Sequence, residues 1–161
     1  MNIRTLAVNG VLAALYIAVT MIIQPIAFSN IQFRIPEMFN QLIVYNKKYF
    51  FGIVIGVFLS NLFFSPMVAY DLVFGVGQSI LALSITILIS RYVRSIWVRM
   101  SINTIVFTFT MFLIALEINI LTKAPFLITW AITAAGEFAV MAIGAPIIYT
   151  LNKRINFSKL I

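Results

Sequence analysis

Four apolar stretches, at residues 5–24, 67–90, 96–121 and 126–151, are each long enough to cross a bilayer as a helix, and little but turn-length sequence separates the last three. A helix needs about 20 apolar residues to span the hydrocarbon core. A chain carrying four of them is expected to be an integral membrane protein built only of helices, because backbone in lipid must satisfy its own hydrogen bonds. Composition agrees: 63% of the 161 residues are hydrophobic and only 9% are charged. Arg4 ahead of an apolar run also fits a signal peptide, but that run continues to about residue 23 without a small-residue cleavage site, so it reads as a retained span.

A fifth apolar region, residues 36–65, is interrupted by Lys47 and Lys48, and is either one long span or a hairpin of two. Charge placement chooses the hairpin. With six helices and a cytoplasmic N-terminus, Arg4, Lys47, Lys48, Arg91, Arg94, Arg99, Lys153, Arg154 and Lys159 all fall inside, nine of the eleven basic residues. Only Arg34 and Lys123 are left outside. A single span would bury the lysine pair in hydrocarbon and put residues 91–99 on the face opposite Arg4. The expected fold is thus an all-α, six-helix transmembrane bundle forming a single membrane domain over residues 1–161, with both termini cytoplasmic. The net charge of +7 then reads as a topology signal and an attraction to anionic membrane lipid, not as a nucleic-acid surface.

The hairpin has a geometric consequence. A helix over residues 36–46 covers only about half of a roughly 30 Å core at about 1.5 Å per residue. It must start below the outer surface, so residues 25–35 are expected to form a re-entrant loop between the first two helices, which irregular backbone survives only inside protein or a wet cavity. Pro36 suits a first helical position, and Glu37 suits a first turn.

The chain has only four acids, Glu37, Asp71, Glu117 and Glu137, and none falls clearly in the cytoplasmic half. Ionisable groups within a membrane face a cavity or a partner. The polar interior is therefore expected to open outward. Asp71, Gly75 and Gln78 share one helix face, as do Trp130, Thr133 and Glu137, and Asn61 sits toward the outer end of its helix. Carboxylates, amides and an aromatic face together suit a flat, hydrogen-bonding, nucleobase-like ligand. Plainer roles compete: an Arg34–Glu37 salt bridge fixing the loop, Asp71 as a helix cap, Glu117 solvated near Lys123, and Trp130 in the interfacial aromatic belt. Glu137, the most deeply placed, is the hardest to explain without a cavity.

Two stripes of small residues recur at four-residue spacing, Gly10, Ala14 and Ala18 on the first helix and Gly52, Gly56 and Ser60 on the third. Such stripes let helices approach closely, either within the bundle or against a separate membrane subunit. With no cysteine or histidine, disulfides and thiolate or imidazole metal sites are excluded, and no metal site or cofactor is expected. No G-x-x-x-x-G-K-[ST] loop occurs, so any ATP-driven role needs a motor from partner subunits.

The segments "LAALYIAVT", "IQFRIPE", "GVFLSNLF", "DLVFG" and "GEFAVMAIGAP" make the chain similar, over nearly its whole length, to the queuosine-precursor S components (the QueT type) of energy-coupling factor transporters. Pro36 departs from the serine more frequent there. The resemblance implies a subunit that captures a 7-deazaguanine base such as prequeuosine or queuine from outside, working with a transmembrane coupling subunit and two cytoplasmic ATPases in a bacterial plasma membrane. It carries over Gln32, Arg34, Glu37, Asn61, Asp71 and Glu137 as ligand contacts, and Ala14 and Ala18, with Gly10 on the same face, as the docking surface. Gln78 and Trp130 join the site on the helix-face argument alone. The competing reading is a stand-alone proton-coupled transporter of a small polar solute through Glu137 or Asp71; its usual internal repeats are not evident. A membrane enzyme is poorly served by acids without histidine, cysteine or a metal cluster.

Overall fold

The computed structural model describes residues 2–27 and 33–161. Among these, seven α-helices and one 3-10 helix form, and no strand: α1 (Ile3–Ala27), the 3-10 helix (Ile35–Val44), α2 (Tyr49–Phe64), α3 (Val68–Ser90), α4 (Ile96–Thr110), α5 (Phe112–Thr122), α6 (Phe126–Ile155) and α7 (Phe157–Leu160). The expected set of six regular helices is corrected in three places. The second segment winds as a 3-10 helix, the fifth is broken at Met111, and a short seventh α-helix follows α6. At this break the Thr110 hydroxyl donates to the Phe107 carbonyl at 3.0 Å. Counting 96–122 as one apolar stretch, four helical segments are long and apolar enough to cross a membrane.

The path of the chain explains the hairpin. Near the starts of α1 and α2, Asn9 Oδ1 accepts from the Gly52 N–H at 2.7 Å; near their ends, Gln24 Nε2 donates to the Phe64 carbonyl at 3.3 Å. These two helices therefore run parallel, and the chain must return between them. The 3-10 helix makes that return, about 20 Å long at roughly 2.0 Å per residue. Asn9 thus adds a side-chain acceptor to an amide in the first turn of α2.

The same contacts collect the basic loops. Arg99 Nη1 donates to the Val44 carbonyl, Tyr49 Oη to the Phe157 carbonyl and Asn46 Nδ2 to the Ile161 oxygen. Both ends of the chain thus share one end of the bundle with the Lys47–Lys48 turn and the α3–α4 turn.

The 3-10 helix is the axis of the bundle, packed against α1, α2, α3, α4 and α6. Its amides hold it there. Gln41 Nε2 donates to Thr104 Oγ1 at 2.9 Å and to the Met141 carbonyl, while Asn103 Nδ2 donates to the Asn40 carbonyl and to Gln41 Oε1. Gly144 of α6 admits it at close range, since a Cβ there would stand 2.5 Å from that of Met38. Around this axis pack Ile53, Leu83, Met100, Phe107, Met141 and Ile148, all buried. Large apolar side chains such as Ile22, Phe63, Val73, Ile105 and Leu127 cover the outside, whereas Asn40, Gln41 and Asn103 are buried. That distribution suits lipid as the surrounding solvent, and the chain is a multi-pass membrane protein.

Candidate functional site

The first turn of α3 brings Asp71 to Arg34, just ahead of the 3-10 helix. Arg34 Nη2 donates to Asp71 Oδ1 at 2.9 Å, and Nη1 makes a longer bond of 3.4 Å to Asn61 Oδ1. Asn61 Nδ2 in turn donates to the Asp71 carbonyl at 3.0 Å, and Ser65 Oγ donates to Asp71 Oδ2. The side chain of Asp71 caps nothing; it is spent on Arg34 and Ser65. Gly75, one turn on, keeps the space open: a Cβ there would lie 2.8 Å from Asn61 Nδ2.

Glu37 does not take Arg34 as a hydrogen-bonded partner. Tyr16 Oη of α1 donates to Glu37 Oε1 at 2.7 Å, and Asn40 Nδ2 donates to its other oxygen. Glu37 and Tyr16 nonetheless lie within electrostatic reach of the guanidinium. Burial opposes the charge of Arg34, but Asp71 and then Glu37 outweigh it, and its pKa stands above the ordinary arginine value.

The remaining two acids complete the cluster. Glu137 on α6 lies within electrostatic reach of Glu37 and Arg34, and Glu117 on α5 within reach of Asp71 and Arg34. Neither Glu117 oxygen has a hydrogen-bond partner among the described residues, nor has Glu137 Oε1. Four carboxylates from four elements therefore surround one guanidinium. Two are engaged by neighbours, and three of the four oxygens of the other two are buried without a donor among the described residues, an arrangement that costs folding free energy unless a further partner supplies one.

Several expectations change here. Glu117 is not solvated near Lys123; α5 turns it inward, and it is 1% exposed. The acids of the cluster are buried, with Glu37, Asp71 and Glu137 at 4%, 2% and 2% exposure. Trp130 stands apart from the acids: its indole N–H donates to the Phe109 carbonyl, and its ring packs with Phe109, Phe112 and Phe126. Gln78 faces the bundle interior, but its amide donates to Thr110 Oγ1 at 3.0 Å beside the α4–α5 break. Gln32 and the middle of the expected re-entrant loop, residues 28–32, lie outside the described residues.

Sequence reasoning passed over Tyr16, Asn40 and Ser65, which hold the carboxylates. The available signal for Tyr16 was a phenol in the middle of an apolar span; for Asn40 it was the i, i+3 spacing from Glu37.

The two small-residue stripes separate. Gly52 and Gly56 face α1, where an added Cβ would fall 2.6 Å from Asn9 Oδ1 and 2.8 Å from Tyr16 Cβ; Ser60 is buried as well. Gly10, Ala14 and Ala18 are exposed on the outer face of α1, and a Cβ on Gly10 would meet nothing within 4 Å.

The family model described as QueT transporter matches residues 6–153. The chain is 35% identical over 159 residues to the queuosine precursor transporter QueT of Lactococcus lactis subsp. cremoris (strain MG1363), and the match covers 93% of each protein. No solved structure matches. A buried acid cluster in a helical membrane bundle and a family match running through every helix but the last lead to one assignment: this chain belongs to the QueT transporter family.

Proposed function

We propose that the chain is the substrate-binding subunit of an ATP-driven energy-coupling factor importer in a bacterial plasma membrane. It captures a queuosine precursor, a 7-deazaguanine base such as prequeuosine or queuine, from outside. The observation that carries this reading is the convergence of Glu37, Asp71, Glu117 and Glu137 on Arg34, with three of the four Glu117 and Glu137 oxygens left without donors among the described residues. A carboxylate accepts two parallel N–H bonds from the amino-imine edge of a guanine-type ring, and Glu137 is the acid we assign to that contact. Glu117 is the second free acceptor. Arg34, Asn61 and Asp71 form a pre-organised hydrogen-bonding wall, and Glu37 is held by Tyr16 and Asn40. The substrate claim also draws on the printed name of the Lactococcus relative.

The buried cluster has to open for a ligand to enter. The outward stripe of Gly10, Ala14 and Ala18 is the face we assign to the coupling subunit, whose two ATPases supply the energy, since this chain carries no phosphate-binding loop.

Isothermal titration of the purified chain with 7-aminomethyl-7-deazaguanine tests the proposal. Saturable, tight binding is expected. No heat with this compound, its 7-cyano relative or queuine overturns the substrate assignment, and uptake in proteoliposomes driven by a proton gradient without any ATPase supports the stand-alone carrier instead.

A further inference from the structure

A cavity lies at the basic end of the bundle, where the 3-10 helix ends, α3 ends and α4 begins. It measures about 350 Å³, within the roughly 300–1,000 Å³ range of small-molecule sites. Lys47, Arg91 and Arg99 line it together with Tyr45, Asn46 and Ser90.

Three facts make this more than a basic rim. First, no side-chain carboxylate neutralises it: all four acids are gathered around Arg34, and the ion pair between Arg34 and Asp71 is the only one among the described residues. Second, Tyr45 and Ser90 line the cavity, and their hydroxyls, buried behind its surface, have no hydrogen-bond partner among the described residues. Third, Arg99 is fixed in place by neutral acceptors, donating from Nε to the Val93 carbonyl at 2.6 Å and from Nη1 to the Val44 carbonyl at 3.3 Å. It is held rigid while keeping its charge uncompensated. Clustered cations match a phosphate group, which offers several acceptor oxygens and at least one negative charge.

An adjoining cavity of about 330 Å³ shares Lys47 and Ile87 with the first and is otherwise lined by Lys48, Phe50 and Phe51, with an apolar interior. A basic pocket for a phosphate beside an apolar slot is the shape of a lipid: headgroup in one, the start of an acyl chain in the other. Basic pockets between transmembrane helices at a headgroup-level surface bind anionic lipids in this way.

We propose that this end of the bundle is a specific site for the phosphate group of an anionic lipid, gripped by Lys47, Arg91 and Arg99. The site is separate from the acid cluster, and its occupancy does not depend on which solute that cluster takes.

The test uses the full chain reconstituted in nanodiscs of phosphatidylglycerol or phosphatidylcholine, then released into detergent for native mass spectrometry. Wild type is expected to retain phosphatidylglycerol and not phosphatidylcholine. Lys47→Gln with Arg91→Gln should lower that retention by roughly tenfold or more, while Lys153→Gln with Arg154→Gln, which removes as much charge from residues lining neither cavity, should leave it unchanged. Arg99 is left intact because it also braces the fold. Equal loss in both double variants, or no preference between the lipids, overturns the site. A thermal shift of lipid-stripped wild type with inorganic phosphate, without any lipid retention, overturns the lipid assignment in favour of a soluble phosphate. Should the Lys47/Arg91 variant fail to fold, the lipid preference and phosphate response of wild type still decide the matter.

Discussion

Arg34 and Asp71, 37 positions apart in the chain, meet as a buried ion pair of 2.9 Å that ties the entrance of the 3-10 helix to the first turn of α3. Breaking such a pair from one side leaves an uncompensated charge in a low dielectric, at a cost of about 3–5 kcal/mol. Asp71→Ala is therefore expected to lower the thermal midpoint of the detergent-purified chain sharply. Replacing both partners, Arg34→Met with Asp71→Leu, should not recover that stability, because it also takes the guanidinium away from Glu37, Glu117 and Glu137. Equal stability of Asp71→Ala and wild type would show that the pair contributes nothing.

Glu117 and Glu137 should behave in the opposite way. Each carboxylate is buried, and three of their four oxygens lack a donor among the described residues. Glu117→Gln and Glu137→Gln keep shape and remove charge, so neither should lower the thermal midpoint, and either can raise it. Ligand affinity should fall by roughly tenfold or more for each, the scale of a lost hydrogen bond to a charged group. Reduced stability with unchanged affinity would mark these acids as structural.

Tyr16→Phe removes the hydroxyl that donates to Glu37 at 2.7 Å and leaves the ring in place beside Phe39. Glu37 then rests on Asn40 alone. Calorimetry should show affinity reduced by roughly tenfold or more, again the scale of one bond to a charged acceptor. An unchanged dissociation constant would mean that the orientation of Glu37 is irrelevant to binding.

The two small-residue stripes should separate folding from assembly. Gly56→Leu forces a side chain against Tyr16 and is expected to cost at least the 1–3 kcal/mol or so of an overpacked core. Gly10→Leu projects into open space. Its thermal midpoint should match wild type, and the readout for it is copurification with the coupling subunit, which should be lost. Intact copurification of Gly10→Leu would remove α1 as the docking face.

Hydropathy and charge alone determined that the chain is helical and spans a membrane, that residues 36–65 double back at Lys47 and Lys48, and that its few acids avoid the basic end. Those conclusions follow from length and from the cost of charge in hydrocarbon, which depend on position along the chain. What only the tertiary structure decided is rotational. Helices whose faces are apolar all round give no period from which to tell a core face from a lipid face, since both environments are apolar. Hence Glu117 turned out to face inward, Trp130 to pack apart from the acids, and Gly52 and Gly10 to face opposite ways, although nothing in their spacing distinguishes them. The 3-10 winding of residues 35–44 was hidden for a related reason. It rests on bonds from Gln41 and Asn103 to residues as far as 100 positions away, and a local reading of that stretch contains none of those partners.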